Sequence, residues 1–324
     1  MSDALARDRA AGGAALAVLE RLGIWAALVV LIAIASGLSP YFLSLNNFLN
    51  ILNQASVVGT TAVGVTLVMI TGGVDLSVGS IISLSADIAA TVMNGSDGNV
   101  PLAILLAVGA GAVVGLVNGV LVAKRNVPSF ILTLGTGAAV QGLGLLYTGG
   151  TASGVIAPWF QHTIGGRPYL HVPGVVFVFA AIVLVGLLIE KTTAFGSRLF
   201  LVGSNIRAAE LSGIAVDRVL ILAYTLSGTA AGIGGVVLLG RVGVSSAFAG
   251  QTYTFDVLAS VLLGGTTFQG GRGGIAGTIA GVLLLVVAFN LVNILGLNFN
   301  TQLVVKGAII IGAASLYRLL QRQT

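Results

Sequence analysis

Residues 196–219 read GSRLFLVGSNIRAAELSGIAVDRV, a polar and charged segment in a chain that is otherwise almost entirely apolar. Asn205 is a residue type that caps helix N-termini, and Gly213 is one that ends helices in the left-handed conformation. The residues between them predict a helix of about two turns. We expect Ala208 and Ala209 to keep one face of this helix small. Such a helix, lying between two apolar segments, suits docking into a groove on a soluble partner.

The composition of the whole chain is typical of a membrane protein. Of its 324 residues 56% are hydrophobic and 8% are charged, and the mean hydropathy is +1.05, whereas a soluble domain carries about 25% charged residues. Several apolar runs approach the roughly 20 residues that a helix needs to cross a bilayer. Backbone polar groups must be satisfied internally in lipid, which favours helices. The sequence therefore predicts an all-α, polytopic transmembrane helical bundle.

Ten candidate spans follow from the apolar runs. The third, fifth and eighth are short or polar and are expected to be re-entrant or broken, so the predicted count is eight to ten. Residues 1–21 are polar and predict a cytoplasmic N-terminal tail rather than a signal peptide, with 22–324 as a single transmembrane domain. The ten spans are 22–40, 51–71, 75–93, 101–123, 127–147, 172–190, 219–240, 252–267, 274–295 and 302–319.

The basic residues predict the orientation of the chain. Loops on the cytoplasmic side of a membrane protein are enriched in Lys and Arg. Threading ten spans from a cytoplasmic N-terminus puts both termini and the 191–218 loop inside, and leaves 148–171 as the longest external loop. This threading places twelve of the 15 Lys and Arg residues inside, namely Arg7, Arg9, Arg21, Lys124, Arg125, Lys191, Arg198, Arg207, Arg218, Arg272, Arg318 and Arg322.

The composition also argues against several kinds of function. The chain has no cysteine, so disulfides and thiolate metal sites are excluded. Its two histidines, His162 and His171, have no neighbouring carboxylate and make a weak metal site, so we expect no metal. No run of five like charges occurs, which argues against nucleic-acid binding. A phosphate-binding loop of the form GxxxxGK[ST] is absent, so we expect neither ATP hydrolysis by this chain nor a cofactor.

A second polar segment, GGVDLSVGS at 72–80, interrupts two apolar runs. One interpretation is a break beside a translocation path, because an ionisable residue inside a membrane usually faces a cavity or a partner. The other is that Asp75 caps the third span. Asp87 also lies within an apolar stretch, where a carboxylate could serve a proton relay or a sodium site. The candidate path residues are Gly72, Gly73, Asp75, Ser77 and Asp256.

These motifs together resemble the monosaccharide branch of ABC-importer permeases, the ribose, xylose and galactose type. The blocks that carry the resemblance are GGVDLSVGS at 72–80, NGVLVAKRNVPSFILTLGT at 118–136, the segment 203–216 and LGGTTFQGGRGG at 263–274. The branched-chain amino-acid branch is similar in fold but usually differs at 72–80. Two departures leave the exact sugar open. The family commonly has arginine where this chain has Gln141, and it favours YELD where residues 253–256 read YTFD.

The resemblance implies a permease subunit that imports a monosaccharide across the bacterial inner membrane and catalyses no covalent reaction. It implies two cytoplasmic ABC ATPase subunits that use the ATP, an external or periplasmic sugar-binding protein and a second permease copy, as a homodimer or a pair. The polar segment would then be the ATPase-coupling site. Its candidate residues are Gly203, Asn205, Arg207, Ala208, Ala209, Glu210, Ser212, Gly213 and Ile214.

Other functions remain open on the sequence. The same kind of importer could carry a nucleoside, a branched-chain amino acid or a furanose-like signal molecule. A secondary transporter driven by protons or sodium is a different class, and it would work without an ATPase. A structural membrane scaffold would leave the segment 196–218 without a reason.

Overall fold

The computed structural model describes residues 23–167, 171–296 and a few positions from 300 to 308. Within these residues the chain is helical, with loops and no β-strand. The first helices are α1 (Gly23–Leu38), α2 (Leu45–Ile70), α3 (Val78–Met93), α4 (Val100–Arg125) and α5 (Ser129–Thr148). They are followed by α6 (Pro158–Phe160), α7 (Gly174–Thr192), α8 (Ala194–Ser204), α9 (Ile206–Leu211), α10 (Val216–Val242), α11 (Gln251–Leu263) and α12 (Ile275–Ile294).

Six of these helices are long and apolar enough to cross a membrane, namely α2, α4 with the turn before it, α5, α7, α10 and α12. The helices α1 and α3 are apolar but shorter, and the eighth predicted span is the 13-residue helix α11. Most of the tenth predicted span, 302–319, and the predicted tail 1–21 lie outside the described residues. The helical bundle is therefore confirmed for the described residues, and the count of ten spans is not.

The fifth predicted span differs from its expectation, because α5 is a continuous helix of 20 residues. The span was expected to be broken because it contains polar residues. The hydroxyl of Thr133 donates to the carbonyl oxygen of Ser129 at 2.8 Å, and the hydroxyl of Thr136 donates to that of Thr133 at 3.2 Å. Threonines that bond to the preceding turn keep their polar groups satisfied inside the helix and do not interrupt it.

Helix α10 lies at the centre of the bundle, packed against α2, α3 and α4. Its contact with α4 is made by glycines. A methyl group placed on Gly111 would lie 3.0 Å from the Cα atom of Gly232, and one on Gly115 would lie 3.1 Å from the Cα atom of Gly228. In lipid the hydrophobic effect does not drive two helices together. Small residues four positions apart let the two backbones approach closely, and this close packing holds the helices together. These glycines therefore fix how α4 lies against α10.

The helices α3 and α11 contact each other near their N-terminal ends. The backbone N–H of Gly250, just before α11, donates to the hydroxyl of Ser83 on α3 at 2.8 Å. Gly79 has no space for a side chain because Thr254 and Gly250 lie against it. Each of the two helices follows an irregular connection, 71–77 before α3 and 243–250 before α11. The bundle therefore contains two helices that each follow irregular backbone and contact each other near their starts.

Candidate functional site

The polar segment found in the sequence forms two short helices rather than a loop with one helix. The first, α8, begins after Thr193, whose hydroxyl accepts the backbone N–H of Gly196 at 3.1 Å. Its residues Leu199 and Val202 are fully buried. This helix was not predicted from the sequence. The spacing of Phe195, Leu199 and Val202 was its only signal, and three apolar residues are few for a helix assignment.

The second helix, α9, agrees with the predicted short capped helix. The Asn205 side chain accepts the backbone N–H of Ala208 at 2.9 Å, which satisfies one of the free donors of the first turn. The helix covers Ile206–Leu211. Gly213 then has φ +78°, the left-handed conformation that glycine adopts without strain. The capping residues named from the sequence, Asn205 and Gly213, are therefore found at the two ends.

The two alanines of α9 do not share a face, so that prediction is wrong. Consecutive helical residues point about 100° apart. Ala209 is 4% exposed and packs into the core of the chain, whereas Ala208 is exposed. Ile206 and Leu211 are also exposed, by 50% and 77%, and of these two only Leu211 lies within about 60° of Ala208 around the helix. This short helix therefore exposes a small residue, Ala208, close to the apolar Leu211 and to charged side chains.

The remaining predicted coupling residues lie around this surface. Arg207 and Glu210 form an ion pair of 3.0 Å on exposed side chains, a kind of pair that contributes little to stability. The hydroxyl of Ser212 donates to the carbonyl oxygen of Ala208 at 2.9 Å. Gly203 and Ile214 are half-buried. All nine predicted coupling residues lie within the stretch 203–214, from the end of α8 to the turn after α9.

The second predicted site is a polar network built around Asp75. This residue is 1% exposed. One carboxylate oxygen accepts the N–H of Ser77 at 3.1 Å and its hydroxyl at 2.6 Å, and the other accepts the hydroxyl of Ser227 on α10 at 2.8 Å. The side-chain amide of Asn118 on α4 donates to the hydroxyl of Ser77 at 3.0 Å. The network therefore joins the start of α3 to α4 and α10.

The geometry bears on both interpretations of Asp75. Its carboxylate bonds to Ser77, the residue before α3, and no bond to the first-turn N–H groups of α3 is seen. Capping in the sense expected from the sequence is therefore not observed. The carboxylate instead has a hydroxyl or N–H donor on each oxygen, as buried charges require. Ser227 and Asn118 were not predicted from the sequence, where each is only an isolated polar residue in an apolar helix.

The irregular backbone between α2 and α3 is held by side chains of neighbouring helices. The N–H of Val74 donates to the Ser129 hydroxyl at 3.2 Å, and the N–H of Leu76 donates to the Thr133 hydroxyl at 3.0 Å. The buried Tyr224 hydroxyl donates to the carbonyl oxygen of Val74 at 3.4 Å and leaves no room for a side chain on Gly73. Non-helical backbone inside a membrane protein is tolerated where protein groups satisfy it in this way.

The other intramembrane carboxylates lie on different elements. Asp256 is 8% exposed on α11 and is not among the hydrogen-bond partners of Asp75. One turn before it, the Tyr253 hydroxyl accepts a hydrogen bond from Arg241 at 3.2 Å. Asp87 is fully buried on α3, and neither of its oxygens has a hydrogen bond of good geometry among the described residues, although the Ser245 side chain lies near enough to interact with it. The five path candidates therefore form one group at 72–77 and a separate residue on α11.

Comparisons with known proteins assign the family. Residues 47–314 match the family described as branched-chain amino acid transport system / permease component. The chain is 40% identical to the ribose import permease protein of Bacillus subtilis (strain 168) over 305 residues, which cover 93% of this chain and 94% of that protein. It is 39% identical to the ribose import permease protein of Escherichia coli (strain K12), over 88% and 89% of the two chains.

A third relative is the galactose/methyl galactoside import permease protein of Escherichia coli (strain K12). It is 35% identical over 93% of this chain and 95% of its own length. No solved structure matches the chain significantly. A family match over most of the chain, together with relatives that align almost end to end, determines the assignment. The chain belongs to the family of the permease components of branched-chain amino acid transport systems.

Proposed function

We propose that this chain is the transmembrane permease subunit of an ATP-driven importer that carries a monosaccharide across the bacterial inner membrane. The observation that carries the proposal is the end-to-end similarity, at 35–40% identity, to permeases named for ribose and galactose import. The sequence has no phosphate-binding loop. ATP hydrolysis is therefore assigned to a separate partner, and this chain is a transport subunit without covalent chemistry of its own.

The partners follow from the two sides of the molecule. A cytoplasmic ABC ATPase docks on α9, whose exposed residues include Ile206, Ala208 and Leu211. An external sugar-binding protein docks on the opposite side, where the segment 148–171 includes the exposed Trp159. A second copy of the chain completes the membrane part as a homodimer. The ATPase supplies the energy and the binding protein delivers the sugar.

The proposed topology has ten membrane segments with both termini in the cytoplasm. The helices α1 to α5, α7, α10, α11 and α12 supply nine, and the tenth predicted span, 302–319, lies mostly outside the described residues. With the N-terminus inside, this order puts α8 and α9 in the cytoplasm. The described basic residues Lys124, Arg125, Arg198 and Arg218 then lie on the same side, as the enrichment of cationic loops in the cytoplasm requires.

Translocation in this proposal is a change between two arrangements of the helices, driven through α9. A nucleotide can shift such an equilibrium only by its different affinity for the two states. The ATPase must therefore hold α9 differently with ATP bound than without it. The break at Gly72, Gly73, Asp75 and Ser77, and Asp256 on α11, remain the candidates for residues beside the path.

The test is uptake by purified components. The tagged chain is purified from its native membrane, the proteins that accompany it are identified by mass spectrometry, and the complex is reconstituted in liposomes. We expect an ABC ATPase and a sugar-binding protein to accompany the chain. Labelled ribose or galactose should enter the liposomes only when ATP is supplied on the side of the membrane that carries the ATPase. Uptake by the chain alone under a proton or sodium gradient would contradict the proposal and favour a secondary transporter.

The same liposomes test the other substrate class that an observation favours. The family description names branched-chain amino acids, so labelled leucine is measured alongside the two sugars with the same binding protein. ATP-dependent uptake of leucine without uptake of either sugar would keep the importer and overturn the monosaccharide assignment.

A further inference from the structure

Three backbone segments touch one another directly beside α9, without side chains between them. They are the last residue of α2, Ile70, the end of α8 at Gly203, and the loop 264–274 at Gly271. The N–H of Gly271 donates to the carbonyl oxygen of Ile70 at 2.8 Å. A methyl group on Gly203 would stand 2.5 Å from the Gly271 nitrogen and would overlap the Ile70 carbonyl oxygen. Only glycine fits at position 203.

The same contact extends to the break that carries Asp75. A methyl group on Gly270 would lie 2.7 Å from the nitrogen of Gly72 and 3.0 Å from the carbonyl oxygen of Gly203. Gly270 and Gly72 have φ values of +79° and +83°, which favour glycine for a second, conformational reason. We call Ile70, Gly72, Gly203, Gly270 and Gly271 the glycine junction.

The loop that supplies two of these glycines is itself fixed to α7 and α12. The carboxylate of Glu190, near the end of α7, accepts the first N–H of α12, on Ile275, at 2.6 Å. The N–H of Gly274 donates to the hydroxyl of Thr266 within the loop at 3.3 Å. A carboxylate at a helix N-terminus is favoured by the helix dipole. The junction is therefore attached to α2, α7, α8 and α12.

We infer that the glycine junction is a rigid link that carries the displacement of α9 into the membrane helices as one body. The inference rests on the proposed function, in which α9 is the point where force enters. One residue, Asn205, separates α8 from α9, so α9 cannot move far without α8. Close-packed backbone without intervening side chains has little freedom to slide. Movement of α9 therefore moves the end of α2, the Asp75 break and the start of α12 together.

A disulfide across the junction tests whether it is rigid. The chain has no cysteine of its own, so Ser204→Cys with Gly271→Cys introduces a single pair. A Cβ on Gly271 would lie 2.6 Å from the hydroxyl oxygen of Ser204 and 3.0 Å from its Cα, so the two cysteine side chains would be in direct contact, although closer than the Cβ–Cβ separation of about 3.8 Å that a disulfide prefers. In the full complex in membranes, we expect the disulfide to form equally with and without ATP. The oxidised complex should take up sugar at the rate of the reduced pair.

The outcome that overturns the inference is a disulfide that forms in only one nucleotide state, or one that stops uptake until a reductant is added. Either result would mean that the segments slide past each other during transport. The two single cysteine variants are the controls, because Gly271 has φ +69° and a side chain there adds strain of its own.

A second variant tests the link by loosening the junction, where the disulfide locks it. Gly203→Ala separates α8 from Ile70 and Gly271, so α9 should move without the membrane helices. We expect uptake to fall roughly 2- to 30-fold, the range of coupling effects seen for substitutions between sites, while ATP hydrolysis by the complex continues. Gly109→Ala on α4 is the matched control, since nothing lies within 4 Å of its added methyl group.

The two arms separate failure of this inference from failure of the proposed function. Unchanged uptake by Gly203→Ala would overturn the link while leaving the importer intact. If Gly203→Ala does not assemble, the disulfide decides alone. If the wild-type complex shows no ATP-dependent uptake, the proposed function fails. Disulfide yield in membranes with and without the co-purified partner still tests the link then, with unequal yields overturning it and equal yields supporting it.

Discussion

The buried carboxylate of Asp75 shows how one residue can tie three helices together. Its two oxygens accept bonds from Ser77 and Ser227, and Asn118 extends the network. An asparagine could keep the bonds to Ser77 through its oxygen and donate to the Ser227 hydroxyl through its nitrogen. The geometry therefore requires a polar side chain of this shape and does not by itself require a charge.

Substitution of Asp75 is expected to follow this geometry. Asp75→Asn should insert normally and keep uptake close to that of the wild type. Asp75→Ala leaves the donors of Ser77 and Ser227 without their acceptor and should lower the free energy of unfolding by about 1–3 kcal/mol. Thermal unfolding in detergent and ATP-dependent uptake measure the two effects. Loss of uptake by a stably folded Asp75→Asn would contradict this and assign a role to the charge.

Substitution of Asp87 is expected to have the opposite effect on stability from Asp75→Ala. Asp87 is fully buried, and neither oxygen has a hydrogen bond of good geometry among the described residues, although the Ser245 side chain lies near enough to interact with it. Burying an unpaired carboxylate is unfavourable, so Asp87→Asn should leave the stability unchanged or raise it by up to about 3 kcal/mol. Thermal unfolding of the two proteins measures this. A clear loss of stability would mean that the carboxyl group has a partner that this conformation does not provide.

At the scale of the helices, the sequence predicted what depends on neighbours in the chain. The cap of α9 is local, because Asn205 bonds to a residue three positions away. The network around Asp75 is not local, since Ser227 is 152 positions away along the chain. No pattern in the sequence pairs these two residues, so the path candidates were named without their partners. The helix α8 was missed for a related reason. Its buried residues, Leu199 and Val202, can be recognised as one buried face only from their contacts with other helices.

The error at the two alanines has a local cause, since consecutive helical residues point about 100° apart, and it gives a matched pair of variants. Ala209→Leu places a large side chain in a packed site and should lower the free energy of unfolding by about 1–3 kcal/mol. Ala208→Leu lies on the exposed side, should change stability by less than about 0.5 kcal/mol, and should weaken ATPase binding. Thermal unfolding and co-purification with the ATPase measure these effects. If Ala208→Leu bound the ATPase normally, α9 would not be the docking helix.

At the scale of the whole molecule, the contacts define two opposite ends of the bundle. Asn47 near the start of α2 and Asn290 near the end of α12 exchange hydrogen bonds of 2.8 and 3.1 Å. The end of α2, at Ile70, contacts Gly203 and Gly271 beside α9. Helices α2 and α12 therefore run antiparallel, and α9 lies at the end opposite to the paired asparagines.

The orientation of these two ends across the membrane can be measured directly in this cysteine-free chain. Ser96, between α3 and α4, and Ser212, after α9, are both exposed. With α9 in the cytoplasm, a membrane-impermeant maleimide should label Ser96→Cys in intact spheroplasts and should label Ser212→Cys only after permeabilisation. The reverse pattern would put α9 outside, where no ATP is available. The ATP-driven importer would then be untenable, whatever the similarity of the chain to sugar permeases.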